Sequence, residues 1–355
     1  MSAPQTGNAA RAAIRRERAQ ALEASRPQVE DMSLLQRASV GPRTQRYYMT
    51  MLRTLQVVLV ARSVPQPNSE EEWDLAVNLV MTLLFLDGAA ASVGEKLLAA
   101  VLWAHPHLNR MAGGRMPVTR QALRGWRRVA PPGGRLPLPL PVIHMLVMWL
   151  LTRALPAAAL YVLLLTELYL RPSEPLLLRP EDVIPGHPRA AGLSRFTSVL
   201  LHPFEQGVPS KSQEFDQSVM FDLPRHQFVA TAVVDLSRRQ AGQSLLLDLE
   251  PGQVRDLLNE ASQTLQLEPL GALDLYRFRH SGASVDFALH ARRLEEIQRR
   301  GRWRSARSVR RYEHGARLNE LFARLAPEVR LFAEEASAAL PGVLAGRRPP
   351  LHVPW

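Results

Sequence analysis

Four short segments hold residue types that could act together on a phosphate group. They are LRPSE (170–174), PSKSQ (209–213), LYRFRHSGAS (275–284) and GRWRSARSVRRYEHG (301–315). A guanidinium is planar, stays charged, and donates two parallel hydrogen bonds to phosphate oxygens. Taken singly, each segment is weak, because an arginine-rich helix is ordinarily a solvated face. Their charge is concentrated, however. Between Tyr276 and Arg317 twelve arginines face only Asp286, Glu295, Glu296 and Glu313, a net +8 in 42 residues out of +11 for the whole chain. That patch coincides with a tryptophan, Trp303, and a tyrosine, Tyr312, nine residues apart. The coincidence favours contact with DNA over a merely basic surface.

In this order the segments resemble the active-site boxes of the tyrosine-recombinase (phage-integrase) family. Arg171 leads Pro172, Ser173 and Glu174. Lys211 sits between two predicted strands. Arg279 takes the second arginine position, and Trp303 precedes Tyr312 by nine. The resemblance covers about residues 140–315. It implies a mainly α fold with a small antiparallel sheet (α+β), built as a two-domain clamp. It implies site-specific DNA cleavage and rejoining through a 3′-phosphotyrosine, serving recombination or integration and carried by a mobile element. Tyr312 would be the nucleophile. Arg171 and Arg279 would clamp the non-bridging oxygens. Trp303 would donate its indole N–H to the phosphate, and Lys211 would protonate the leaving 5′-oxygen. Glu174 would support Arg171. No cofactor or metal is required, since the ester keeps the bond energy. The implied partners are double-stranded DNA and further copies of the chain, as a dimer or tetramer synapse. The implied location is inside the cell with the DNA: the nucleus in a eukaryote, the cytoplasm or nucleoid in a bacterium.

One position departs from the family pattern. Tyr276 stands where the family has the histidine of His-x-x-Arg. Three residues before Arg279, it falls on the same helix face. A phenol donates or accepts a hydrogen bond, but an ordinary pKa of ~10 makes it a poor base at neutral pH. His280 is adjacent to Arg279, and on a helix that points it about 100° away. Tyr276 also favours an alternative, a decayed or domesticated descendant that binds DNA without cutting it. A type IB topoisomerase relative would share the chemistry, but the short chain and helical N-terminal region argue against it. A helical scaffold on RNA or acidic membrane would leave the order of the boxes unexplained.

The composition agrees with a polyanionic partner. The chain has 355 residues, a net charge of +11, and only two lysines, Lys96 and Lys211, among 44 basic residues. Arginine suits phosphate, although a GC-rich genome would produce the same bias. The absence of cysteine excludes disulfides, thiol nucleophiles and cysteine-bound zinc. The N-terminus has no apolar signal-like run, and the apolar stretch near 141–170 is broken by His144, Arg153, Pro156 and Glu167.

Elements that would position these residues can be read from periodicity. A polar tail with a basic cluster at Arg11, Arg15, Arg16 and Arg18 is expected over 1–32, disordered or a frayed helix, with a DNA-binding arm as the alternative. A helical core-binding domain is expected over 33–130, resembling the family's in position, size and a Thr44/Tyr48/Leu52 pattern. Its helices are predicted at 44–62, from Ser69 to Leu86, after a Ser92/Glu95 capping box, and from Thr119 to Arg128. The last carries Arg120, Arg124, Arg127 and Arg128 around Trp126, a set that could track a DNA backbone. Residues 131–141 form a Pro/Gly linker. The catalytic domain is expected over 142–325, followed by a C-terminal helix and tail over 326–355. Apolar helices are predicted at 142–168, divided near Pro156, and strands at FTSVLLHPF (196–204) and QSVMFDL (217–223). Further helices are predicted at 224–240, 251–265, 274–290, 293–300, 305–313 and 318–340. Arg302 and Arg304 beside Trp303 are further DNA-contact candidates.

Overall fold

The computed structural model describes residues 32–110, 116–131, 136–187, 189, 192–210, 213–313 and 315–347. Nearly all of the expected basic tail, residues 132–135 of the linker, and Lys211 lie outside the described residues. The chain divides into two compact units, Met1–Gly134 and Arg135–Trp355.

The first unit is helical: α1 (Leu34–Arg37), α2 (Pro42–Ala61), α3 (Glu70–Leu86), α4 (Ala91–Ala104) and α5 (Pro117–Val129). Helix α2 buries Met51, Leu55 and Leu59, one residue per turn, so its apolar stripe faces the core. Ser69 caps α3 by accepting from the Glu72 N–H at 3.2 Å, and Glu70, Glu71 and Glu72 suit the positive end of the helix dipole. The expected capping box at Ser92 is absent. Helix α4 begins at Ala91, two residues before a Ser92 cap would place it, without a side-chain cap. Helix α5 is capped from another element: Asp74 of α3, almost wholly buried, accepts from the Val118 and Thr119 N–H groups at 2.9 and 2.8 Å. Trp126 on α5 packs against Gly94, where a side chain would meet its ring.

The second unit starts with α6 (Leu140–Thr152) and α7 (Pro156–Glu167), both buried on nearly every side. Helix α6 begins two residues before the expected start because Pro141 fits a first helical turn, where its missing N–H would be unpaired anyway. Strands β1 (Val183–Ile184), β2 (Ser198–Leu201) and β3 (Gln217–Met220) form one antiparallel sheet in that order. Val199 lies opposite Val219. Strand β1 was not foreseen; at two residues it is too short for an alternating pattern. Then follow α8 (Gln227–Arg239), α9 (Pro251–Thr264), α10 (Leu275–Ala288), α11 (Leu294–Arg300), α12 (Ala306–Val309), α13 (Gly315–Ala323) and α14 (Pro327–Leu344). The single helix expected over 318–340 is two. Pro327 disfavours helical backbone at the residue before it, so Ala326 turns extended and α14 starts at the proline, although Pro341 lies inside the same helix.

The fold is therefore mainly α with a small antiparallel sheet. One core joins α6, α7, the sheet, α8, α9, α10 and α14 through residues such as Leu146, Leu163, Phe221, Val233, Leu258, Phe278 and Phe332. Each such side chain contributes ~1.5–3 kcal/mol on burial. Helix α10 crosses α7 at Gly282, where a Cβ would land on the Thr166 carbonyl. Among the described residues no helix is long and apolar enough to cross a membrane.

Candidate active site

Arg171 stands in the turn after α7. Its backbone N–H donates to Glu174 Oε2 at 2.6 Å and its guanidinium to Oε1 at 2.9 Å. The buried Glu174 accepts a third donor, Arg302 Nη2, at 2.7 Å. One carboxylate thus ties the Arg171 turn to the loop that carries Trp303.

Arg279 enters from α10. Nη1 donates to the Tyr169 carbonyl and Nη2 to the Gly301 carbonyl. Its Cζ lies 4.7 Å from the Trp303 ring centroid. Arg302 Nη2 also reaches the Tyr169 carbonyl, at 3.5 Å. Burial, helped by the Arg302 charge and opposed by Glu174, pulls the Arg279 guanidinium down to about 9. It remains a cation at neutral pH.

Tyr312 lies in a 3-10 turn, Arg310–Glu313, into which the predicted 305–313 helix tightens after α12. Only 1% of it is exposed. Its ring is 5.2 Å from Trp303 and 5.8 Å from His280, centroid to centroid. Its Oη lies 2.6 Å from His280 Nδ1. The His280 ring stacks on Trp303 at 6.3 Å, with 17° between the planes.

Special backbone holds these groups. Tyr169 and Arg302 have φ of +51° and +53°. Left-handed backbone at a residue other than glycine costs ~1–3 kcal/mol and persists only where the surroundings enforce it. Here the Tyr169 carbonyl takes the two arginines, while its hydroxyl bonds the buried Asp286. At Gly301 a side chain would overlap the Trp303 ring, so the indole can lie there only over a glycine.

A buried ionic network supports this side of α10. Asp286 also pairs with Arg225 and, at 3.0 Å, with Arg292; Glu167 pairs with Arg225 at 2.9 Å. Arg292 and Arg300 both reach Asp222. Arg300 donates to the Glu167 and Met220 carbonyls at 2.9 Å each. Arg277 donates to the carbonyls of Leu136, Leu270, Gly271 and Ala272. Several arginines of the basic patch therefore hold the fold together rather than facing solvent.

The sequence candidates Arg171, Glu174, Arg279, Arg302, Trp303 and Tyr312 come together in one linked cluster. Tyr276 sits in the first turn of α10, 40% exposed, its N–H donating to the Asp274 cap at 2.8 Å. It lies near Tyr161, whose hydroxyl donates to the Pro172 carbonyl of the Arg171 turn at 2.9 Å. Arg304 is exposed. Arg124, Arg127 and Arg128 are exposed on α5 and Arg120 half-buried, all in the first unit; Arg127 pairs with Glu95 at 2.7 Å. His280 was passed over, because neighbours on a helix point apart. Helix α10 is enclosed from Arg277 to Asp286, so Arg279 and His280 meet different walls of the same site.

The arrangement sits in a mainly helical fold that resembles that of the tyrosine recombinases. Among solved structures, the XerH site-specific recombinase bound to palindromic difH substrate, a post-cleavage complex, matches with a TM-score of 0.54. The identity is 13%, over 80% of this chain and 80% of that one. The XerA recombinase matches with a TM-score of 0.38 and 13% identity, over 81% and 94%. No protein-family model matches the chain, and no curated protein matches its sequence.

Proposed function

We propose that the chain cleaves and rejoins double-stranded DNA through a 3′-phosphotyrosine on Tyr312. The observation that carries this reading is the packing of Tyr312 on Trp303 beside Arg279, with Arg171 joined to the same cluster through Glu174 and Arg302. In this reading the arginines stabilise charge developing on the phosphate oxygens, where preorganised donors are most effective. Lys211 is the acid for the 5′-oxygen. The exposed arginines of α5 contact backbone phosphates within a separate DNA-binding domain.

Likeness to a recombinase bound to palindromic DNA supports two further statements. Two copies bind a two-fold symmetric site and associate there, since an operator's symmetry mirrors that of its protein. The chain works inside the cell, with the DNA; its reading as the integrase of a mobile element rests on the resemblance of its motifs alone. The second reading, a descendant that binds DNA without cutting it, is favoured by Tyr276 at the family's histidine position.

The test is a covalent selection. The protein is incubated with a pool of nicked duplexes of randomised sequence, the nick letting the cleaved fragment escape. Complexes are then recovered under denaturing conditions. Recovery of enriched duplexes supports cleavage. DNA retained natively but never covalently assigns the binding-only reading.

A further inference from the structure

We propose that His280 is the proton acceptor for Tyr312 in the cleavage step and returns that proton in rejoining. The inference rests on Tyr312 being the nucleophile. It moves the imidazole of the site from position 276, where the tyrosine-recombinase pattern has it, to the residue after Arg279.

Three observations carry it. His280 Nδ1 is within 2.6 Å of Tyr312 Oη, the distance of a strong hydrogen bond. The two groups are enclosed, Tyr312 at 1% exposure and His280 at 9%. A proton leaving the phenol therefore meets an imidazole rather than bulk water. Trp303 stacks on His280 and packs on Tyr312, which fixes both rings. Tyr276, by contrast, is 40% exposed in the first turn of α10. Arg279 is charge-coupled to Tyr312 and favours the phenolate as it forms.

The step balances as follows. Tyr312 Oη bonds to phosphorus while its proton passes to Nδ1, which gives an imidazolium. The P–O5′ bond breaks, and the 5′-oxygen takes a proton from the general acid assigned above to Lys211. In rejoining, a 5′-hydroxyl attacks phosphorus and gives its proton back to the Lys211 amine, the P–Oη bond breaks, and the imidazolium returns its proton to Oη.

The test uses a duplex recovered by the covalent selection, made with oxygen or with sulfur at the scissile 5′-bridging position. A thiolate leaves without protonation, so the sulfur substrate bypasses the acid and still needs the base. Single-turnover cleavage is measured for the parent, His280→Asn and His280→Ala. Both variants are expected to lose ~10²-fold or more on either substrate, as general-base loss does. Added imidazole is expected to restore His280→Ala. Three results would overturn the proposal: parent rate with His280→Asn, since a hydrogen bond alone would then suffice; faster cleavage by His280→Ala, since the contact would then be a latch; or rescue by sulfur, since His280 would then be the acid. Imidazole NMR of the DNA-free protein gives a second readout that needs no activity. Tyr312→Phe should change the His280 titration, and an unchanged one overturns the dyad. A parent that forms no adduct, with the dyad intact by NMR, would instead sink the reading of Tyr312 as nucleophile.

Discussion

Glu174 and Arg302 form a 2.7 Å ion pair that bridges two loops 128 residues apart, with the Arg171 guanidinium on the other carboxylate oxygen. The carboxylate sets the positions of two guanidiniums at once. Glu174→Ala leaves Arg302, which burial chiefly pulls below its ordinary value, without that partner. The expected cost is about 1–3 kcal/mol of stability, typical of a buried group left unsatisfied. Cleavage should fall together with stability. Urea denaturation and single-turnover cleavage check both, and a variant unchanged in either would remove Glu174 from the site's support.

Asp286 should matter more. It is fully buried and takes Arg225, Arg292 and the Tyr169 hydroxyl. Removing one partner of a buried ionic network typically costs ~3–5 kcal/mol, because the charges left behind are uncompensated. Asp286→Ala should therefore lower the unfolding midpoint strongly. A loss below ~1 kcal/mol would mean that water replaces the carboxylate.

Tyr276→His tests the departure from the family pattern. Because the side chain is partly exposed, the shorter ring should leave no cavity, and the melting temperature should stay near the parent's. Cleavage should be kept or raised, since an imidazole can exchange protons near neutral pH. A severe loss of cleavage at unchanged stability would show that the phenol itself is needed at this position.

Acid should loosen the second unit. His144 Nδ1 lies 2.7 Å from Ser337 Oγ on α14, and burial above all pulls this imidazole down to about 4, against the opposing Glu167 charge. The folded value is below the ordinary ~6.5, so the unfolded chain binds more protons. Stability is then fully present above ~6.5 and is lost as pH falls towards about 4. From pH 7 to 5 this group alone accounts for about 2 kcal/mol. His226, also lowered mainly by burial, acts in the same direction. Urea denaturation at both pH values should show a smaller difference for His144→Gln than for the parent. An equal difference would place the acid sensitivity elsewhere.

Apolar spacing carried α2, and a continuous apolar run divided at Pro156 carried α6 and α7. The small sheet was legible in two of its strands; β1, with two residues, has no pattern to read. In the site, motif spacing located Arg171, Arg279, Trp303 and Tyr312 but not the groups that hold them. Tyr169 has an ordinary-looking sequence context, and its left-handed backbone follows from contacts made 110 residues away by Arg279. His280 was hidden by helix geometry, which separates neighbours but does not say that both directions are enclosed. The basic patch overstated the charge open to DNA, because sequence cannot tell an arginine bonded to Asp222 or Asp286 from one facing solvent.

The measurement that tests the central claim most directly is the identity of the residue joined to DNA. Adducts from the covalent selection are digested with nuclease and protease, and the modified peptide is sequenced by mass spectrometry. The account predicts a nucleotide on Tyr312, esterified through its 3′-phosphate, and no adduct from Tyr312→Phe, which should still bind the duplex with nearly the parent's affinity. A nucleotide on another residue, or adducts of Tyr312→Phe at the parent's level, would contradict it.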